Sequence, residues 1–201
     1  MKRSLLPVLA LVLAGVASPP VEVHGYGPWQ LGMTREQVAA AAAHGPYSPV
    51  TATGGLETRN AQFQGSQITA SFVFGPHGLR HIQLWAYEGQ DREKALRAFH
   101  GVYGYLSEQL GPLHSDGTPI PRGISEDSLT ALVPPAFKTG TVQSQLSELP
   151  KRGSIQAQVH KFHLHPQTPA VGAEVYGSLI HSPQLGMYWV FVYFKSLPHD
   201  S

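Results

Sequence analysis

The last apolar run of the chain, residues 187–195, constrains the fold more than any other segment. Its first eight residues are Met-Tyr-Trp-Val-Phe-Val-Tyr-Phe, so both faces of a strand built from them would be apolar or aromatic. Such a strand has to be covered on both sides, which favours the interior of a sheet over its edge. The run therefore predicts a central strand, and residues 156–165 and 171–181 are also strand-like.

Three runs in the first half of the chain alternate between apolar and polar residues, which is the pattern of half-buried strands. They cover residues 56–64, 67–74 and 79–87. Gly65-Ser66 predicts a tight hairpin turn that pairs Phe63 with Ile68. The third strand places its apolar residues on the same face only if it pairs with the second strand in one register, in which the numbers of each two facing residues add up to an even value. This register requires a loop with an odd number of residues near Gly75-Pro76.

Two helices are predicted around these strands. Thr34 and Gln37 have the spacing of a capping box, so we expect a helix over residues 35–43. Asp91 begins a longer helix, in which apolar residues recur every three or four positions. Gly111-Pro112 ends that helix because neither residue continues it easily.

The order of elements predicts the fold class. A Pro- and Gly-rich stretch at 113–123 indicates a linker, and short helices are expected near 125–133 and 141–149. Helix, three strands, helix, and then helices with three more strands are typical of an α+β fold, with antiparallel three-stranded meanders and packing helices. The similar order in both halves predicts two related modules, at 18–112 and 124–201.

The N-terminus has the features of a cleavable export signal. Lys2 and Arg3 precede an uncharged apolar run over residues 5–17, shorter than the roughly 18 residues needed to span a membrane. The small residues Gly15 and Ala17 suit signal peptidase, and we place the cut after Ala17. The sequence therefore predicts a periplasmic or secreted protein with no transmembrane segment in its mature chain.

Composition narrows the functional classes. Removing the signal leaves 12 basic and 13 acidic residues, a net charge of −1 that disfavours nucleic-acid binding. The chain has no cysteine, so packing rather than disulfides must stabilise the exported protein. It also lacks the nucleophile elbow, the His-Glu-x-x-His motif, the phosphate loop and the dinucleotide fingerprint. No catalytic residue is predicted, although distant residues could still assemble an active site.

Residues 29–112 combine a Gly-Met-Thr-Arg-Glu-Gln-Val helix start at 32–38, a helix exit at Gly45-Pro46 and a three-stranded meander. Together these features resemble the SmpA/OmlA (BamE-type) outer-membrane lipoproteins, and two tandem modules would resemble the architecture of the β-lactamase inhibitor protein. The resemblance implies a small α+β fold and non-enzymatic protein binding. Those lipoproteins carry an acylated cysteine after the signal, which this chain lacks, so no membrane anchor is implied.

The polar face of the first three strands is predicted to bind a partner. In the even-sum register this face carries no lysine, arginine or carboxylate, and Trp85 with nearby Tyr87 adds the amphipathic area common at interfaces. The alternative is that the C-terminal module packs over this face as an internal interface. The residues assigned to the face are Asn60, Gln62, Thr69, Ser71, Gln83, Trp85 and Tyr87.

Histidines suggest a second kind of site. His163 and His165 lie in a His-Lys-Phe-His-Leu-His run, and on a strand they project to the same side about 7 Å apart. Such a pair can bind zinc or copper, with Glu174 or His181 on the next strand as a third ligand. The alternative is that these histidines are ordinary residues of a half-exposed strand, with no cofactor.

These observations leave three hypotheses. The first is a non-catalytic module that binds another envelope or secreted protein. The second is a metal-binding protein or metal-dependent enzyme that uses His163 and His165. The third, which follows from the tandem-module resemblance, is an inhibitor of a secreted hydrolase.

Overall fold

The structure is a computed structural model that describes residues 20–133, 138–141 and 158–197. The predicted signal peptide lies outside these residues. Three α-helices are described: α1 (Arg35–Ala39), α2 (Arg92–Leu110) and α3 (Glu126–Leu132), with a 3-10 turn at Ala42–His44. The strands are β1 (Gly25–Tyr26), β2 (Trp29–Gln30), β3 (Tyr47–Val50), β4 (Gly55–Phe63), β5 (Ser66–Gly75), β6 (Gly78–Gly89), β7 (Leu113–Ser115), β8 (Thr118–Ile120), β9 (Lys138–Thr141), β10 (Gln158–Pro166), β11 (Ala173–Ser182) and β12 (Met187–Ser196).

The described part of the fold is dominated by one antiparallel sheet. Its ten strands follow the order β3-β4-β5-β6-β12-β11-β10-β7-β8, and β9 pairs with the same edge of β10 as β7 does. Strands β1 and β2 form a separate hairpin. None of the helices in the described residues is long and apolar enough to cross a lipid bilayer.

The prediction of an α+β fold in two related modules is wrong. The structure is mostly antiparallel β, because β6 and β12 join the two sets of three strands edge to edge in one continuous sheet. This pairing satisfies backbone donors and acceptors that two separate sheets would leave open at their edges. Of the three described helices only α2 is longer than seven residues.

Helix α2 covers one face of the sheet. Its apolar residues Phe99, Val102 and Leu106 are fully buried, as the three- and four-residue spacing predicts. Gly177 on β11 lies directly beneath the helix: a Cβ there would be 2.6 Å from Val102 Cγ1 and 3.0 Å from Leu106 Cδ1. The sheet and the helix are therefore in close contact at this glycine.

The central position predicted for the last strand is confirmed. Strand β12 lies between β6 and β11, and its residues 189–192 are all buried. Val190 and Val192 face α2 and the main core. Trp189 and Phe191 belong to a second apolar cluster with Val159 and Ile180, on the other face of the sheet.

The β4–β5 turn differs from its prediction. It consists of Gln64 and Gly65, both with positive φ (49° and 74°), which suits a tight two-residue hairpin. Phe63 therefore pairs with Ser66, and Ala61 pairs with Ile68. The error is two residues in register, so the apolar side chains stay on the predicted face, because strand side chains alternate with period two.

Bulges shift the register elsewhere by one residue. The even-sum pairing of β5 and β6 is confirmed, but the loop is not of odd length, because two residues lie between Gly75 and Gly78. Arg80 is instead an extra residue in β6, and this bulge shifts the pairing from an odd to an even sum. A second irregularity in β4, between Thr58 and Ala61, turns Thr58 towards the core, where it is 1% exposed. Glu57 then falls on the face that was predicted to hold no carboxylate.

Predictions for the middle of the chain have mixed outcomes. The helix expected near 125–133 is present as α3, and Ser125 caps it. The stretch 113–123, expected as a linker, contains the β7–β8 hairpin, and β7 pairs with β10. The helix expected at 141–149 lies outside the described residues except for Thr141, which is in β9.

Candidate binding face

The sheet has a second face, opposite α2, which carries aromatic and polar side chains contributed by both halves of the chain. Strand pairing places His163, Ser178, Phe191 and Trp85 in one row across β10, β11, β12 and β6. The next row runs from His165 through Tyr176 and Tyr193 to Gln83. We call this surface the aromatic face and define it by Trp85, His163, His165, Tyr176 and Tyr193.

Four rings stack along one row of the aromatic face. His114 lies 5.6 Å from His165, His165 lies 5.4 Å from Tyr176, and Tyr176 lies 4.9 Å from Tyr193, between ring centroids. Interplanar angles between neighbouring rings are 24° to 29°. Because strand side chains stand roughly perpendicular to a sheet, rings stacked along the row present their edges outward, with their hydroxyls and imidazole nitrogens.

Burial keeps the imidazoles of this face neutral. It lowers the pKa of His163 to about 4, with smaller contributions from neighbouring His165 and Lys161. The pKa of His165 is also lowered, first by burial and then by the adjacent His114. His163 is held in place by a hydrogen bond between its Nδ1 and Ser178 Oγ and by an edge contact with Tyr176.

The two tyrosines are neutral as well. Burial raises the pKa of Tyr176 to about 12 and raises the pKa of Tyr193 further. Neither hydroxyl forms a hydrogen bond with another residue of the described ranges, and neither is a buried unpaired group. Both phenols are therefore available as donors and acceptors to a molecule that lies on the face.

Trp85 connects the aromatic row to the polar patch predicted from the sequence. Its Nε1 donates a 3.2 Å hydrogen bond to Ser71 Oγ, and its ring meets Phe191 edge-on at 5.8 Å. Phe191 in turn contacts Tyr193 at 4.8 Å. Thr69 pairs with Trp85. The predicted patch and the histidine pair thus belong to one surface, because β6 pairs with β12.

Two other residues assigned to the patch, Asn60 and Tyr87, lie elsewhere, whereas Gln62 stays on the predicted side of the sheet, opposite the buried Ala61 and Phe63. Asn60 donates hydrogen bonds of 3.2 Å to the carbonyls of Ala43 and Gly45, so its side chain is turned towards the 3-10 turn. Gln62 is exposed and pairs with Gln67. Tyr87 packs against the main core on the opposite face from Trp85.

The position of Tyr87 results from a bulge in β6. Val190 pairs with Tyr87, whereas Phe191 pairs with Trp85, so Ala86 is an extra residue between them. An extra residue reverses the alternation of side chains beyond it. The Tyr87 hydroxyl instead accepts a 3.0 Å hydrogen bond from the Asp91 backbone at the start of α2.

The four predicted metal ligands do not converge. His163 and His165 share the aromatic face, with ring centroids 5.9 Å apart. Glu174 is on the same face but pairs with Lys195 at 2.9 Å, and His181 is on the other face, stacked on Tyr188. The described residues contain no group of three or more metal-ligating side chains arranged to hold an ion. Binding of zinc or copper stays a prediction.

Sequence reasoning missed the row that dominates the face. Tyr176 and Tyr193 lie on the two strands next to the predicted histidines, but their alignment depends on the β11–β12 register. His114 lies in the stretch expected to be a linker. One signal in the sequence could have predicted Tyr176: it lies two residues from both Glu174 and Ser178, so the three side chains share one polar face of a strand.

A scan against protein-family models, a search of curated proteins and a search of solved structures each found no match to this chain.

Proposed function

We propose that this protein is an exported, non-catalytic binding module, and that its aromatic face binds another envelope or secreted protein. The observation that carries the proposal is the row of four stacked rings, His114, His165, Tyr176 and Tyr193, which crosses four strands. Phe191 in the neighbouring row contacts both Tyr193 and Trp85. Tyrosine and tryptophan are the residues most enriched at the centres of protein interfaces.

The distribution of charge supports a protein partner. Burial lowers the pKa of His165 and raises the pKa of Tyr176 to about 12, so both rings are neutral near pH 7 and a partner can cover them without desolvating a charge. Charged groups lie at the margin, where Lys195 pairs with Glu174. A neutral aromatic centre with a charged margin is the usual arrangement of a protein interface.

The ring geometry argues against a face-stacking ligand. Sugars and nucleobases stack on exposed aromatic faces. Here, neighbouring rings lie face to face with one another at 4.9 to 5.6 Å, so their faces are already in use. Ring edges, hydroxyls and the Gln83 amide remain, and these groups suit the backbone and side chains of a folded protein.

The sequence supports placing this activity outside the cytoplasm. Lys2 and Arg3, the short apolar run at 5–17 and the small residue Ala17 form a signal of the cleavable type. A mature chain without cysteine suits an oxidising compartment, since it has no thiol to mispair. The same N-terminal half resembles lipoproteins that bind other proteins.

The proposal is tested by capture and point substitution. A photo-crosslinking residue at Gln83, between Trp85 and the aromatic row, is used to trap partners from an envelope or culture extract. Affinity for the trapped partner is then measured for Tyr176→Ala and Tyr193→Ala. Each change should weaken binding about 30-fold or more, the equivalent of about 2 kcal/mol.

Tyr188→Ala is the matched control, because Tyr188 is a half-buried β12 tyrosine on the opposite face, stacked on His181. It should leave partner affinity unchanged. The proposal fails if no partner is trapped reproducibly, or if Tyr188→Ala weakens binding as much as Tyr176→Ala does.

A further inference from the structure

A cavity of about 180 Å³ lies on the α2 side of the sheet, away from the aromatic face. Its floor is formed by Val175 of β11 and Phe194 of β12, both buried core residues. The last turns of α2 form one wall, through Tyr105 and Gln109. The N-terminal segment at 21–25 forms the wall opposite.

Backbone hydrogen bonds hold the outer wall in place. Val23 N donates to Val171 O at 2.8 Å, and Val171 N donates to Val21 O at 2.9 Å. Gly172 allows this close approach, because a Cβ there would be 2.8 Å from Val23 O. The segment is therefore anchored through its backbone to the loop before β11, and Val23 also packs against the main core.

The cavity has room for one small ring, since a cavity of about 150 Å³ is known to accept benzene. It differs from that apolar cavity in being open to solvent on one side and in having polar as well as apolar groups in its lining. Tyr105 is fixed by edge contacts with Phe63 at 5.1 Å and Tyr26 at 5.9 Å, and its hydroxyl forms no hydrogen bond with another residue of the described ranges. Burial raises the pKa of Tyr105 to about 12, so the hydroxyl is a neutral donor.

The polar groups favour a neutral ligand. Gln109 lies one helical turn after Tyr105, on the same side of α2, where its amide can both donate and accept. At the mouth, the Glu22 carboxylate is 3.2 Å from His24 Nε2, so it already has a partner. No other acidic or basic side chain lines the cavity among the described residues.

We propose that this cavity binds a small neutral aromatic alcohol. The ring lies against Val175 and Phe194, and the hydroxyl of the ligand hydrogen-bonds with Tyr105 and Gln109. This site is separate from the proposed protein-binding face, on the other side of the sheet.

Phenol is the probe. Titration of phenol into the mature protein, followed by methyl NMR, should give saturable shifts at Val23, Val175 and Leu110. In Gln109→Trp, the larger side chain occupies the cavity from an exposed helix position, and phenol affinity should fall at least tenfold. Glu108→Trp is the matched control, because Glu108 is equally exposed on α2 but does not line the cavity; its affinity should equal that of wild type.

Tyr105→Phe isolates the hydroxyl. It should weaken phenol about fivefold, the effect of one neutral hydrogen bond, and leave toluene binding unchanged. Circular dichroism checks that each variant is folded. The proposal is overturned if phenol shifts do not saturate, or if Gln109→Trp binds phenol as wild type does. Either result leaves the aromatic face untouched, because no substitution here lies on it.

Discussion

At the residue scale, His163 shows how burial decides the charge of the aromatic face. Its Nδ1 forms a hydrogen bond with Oγ of the fully buried Ser178, and its ring contacts the rings of His165 and Tyr176. Protonation would place a positive charge beside other imidazoles in a partly desolvated position. The neutral form is favoured in the folded state, and the pKa is lowered to about 4.

This shift predicts a loss of stability in acid. An unfolded histidine takes up a proton near its ordinary pKa of 6.5, whereas His163 in the fold stays neutral down to about 4. Stability is therefore complete above about pH 6.5 and falls as the pH drops towards 4, by about 2 to 3 kcal/mol from this residue. Urea unfolding at pH 7 and pH 4 measures the difference.

His163→Gln should remove most of that pH-dependent part, because glutamine does not titrate and its amide can still bond to Ser178 Oγ. An equal pH dependence in wild type and His163→Gln would show that the imidazole is not held neutral.

At the element scale, contact between α2 and the sheet depends on glycine at one position. Gly177 leaves room for Val102 and Leu106, whose side chains approach within 2.6 and 3.0 Å of where a Cβ would be. A real Cβ does not lie 2.6 Å from another carbon, so any side chain here must push the Val102 side chain aside or move the helix away from the strand.

Gly177→Ala should therefore destabilise the fold by about 1 to 3 kcal/mol, the usual effect of overpacking. Gly104→Ala makes the same chemical change on α2 itself, at an exposed position with nothing within 4 Å of the new Cβ. It should stabilise by up to about 1 kcal/mol, since alanine is the better helix former. Chemical denaturation of both variants decides between these outcomes; a neutral Gly177→Ala would place the helix further from β11.

At the scale of the whole molecule, the pairing of β6 with β12 unites the two halves of the chain. It completes the hydrogen bonding of both strands, and it continues the apolar floor beneath α2 from Ile82 and Leu84 to Val192 and Phe194. Neither half has a complete core alone, because α2 contacts β6 from one half and β11 and β12 from the other.

A fragment of residues 18–112 should consequently fail to fold by itself. It would expose the β6 edge and leave the underside of α2 without β11 and β12. Circular dichroism and NMR of the fragment should show an unfolded or aggregated chain, whereas the mature protein should unfold in one transition. A well-dispersed NMR spectrum and a cooperative unfolding transition of the fragment would contradict this expectation.

Local periodicity was sufficient to predict the six long strands and the long helix. The segments that form β4–β6 and β10–β12 either alternate between apolar and polar residues or are apolar throughout. In α2, apolar residues recur every three or four positions. These signals come from neighbouring residues, so the sequence by itself determined which segments form the six long strands. The short strands β1–β3 and β7–β9 carry no such signal and were not predicted. It also determined most core residues, since even the misplaced β4–β5 turn moved the register by two residues and kept Phe63 and Ile68 in the core.

Tertiary structure decided which strands meet and which face some residues occupy. No local pattern predicts that β6 pairs with β12, because this pairing is stabilised by backbone hydrogen bonds between two strands that are far apart in the chain. Bulges in β4 and β6 depend on the partner strand, and each moves the following residues by one position, which buried Thr58 and turned Tyr87 away from Trp85. The aromatic face exists only because long-range pairing aligns His114, His165, Tyr176 and Tyr193 in one row.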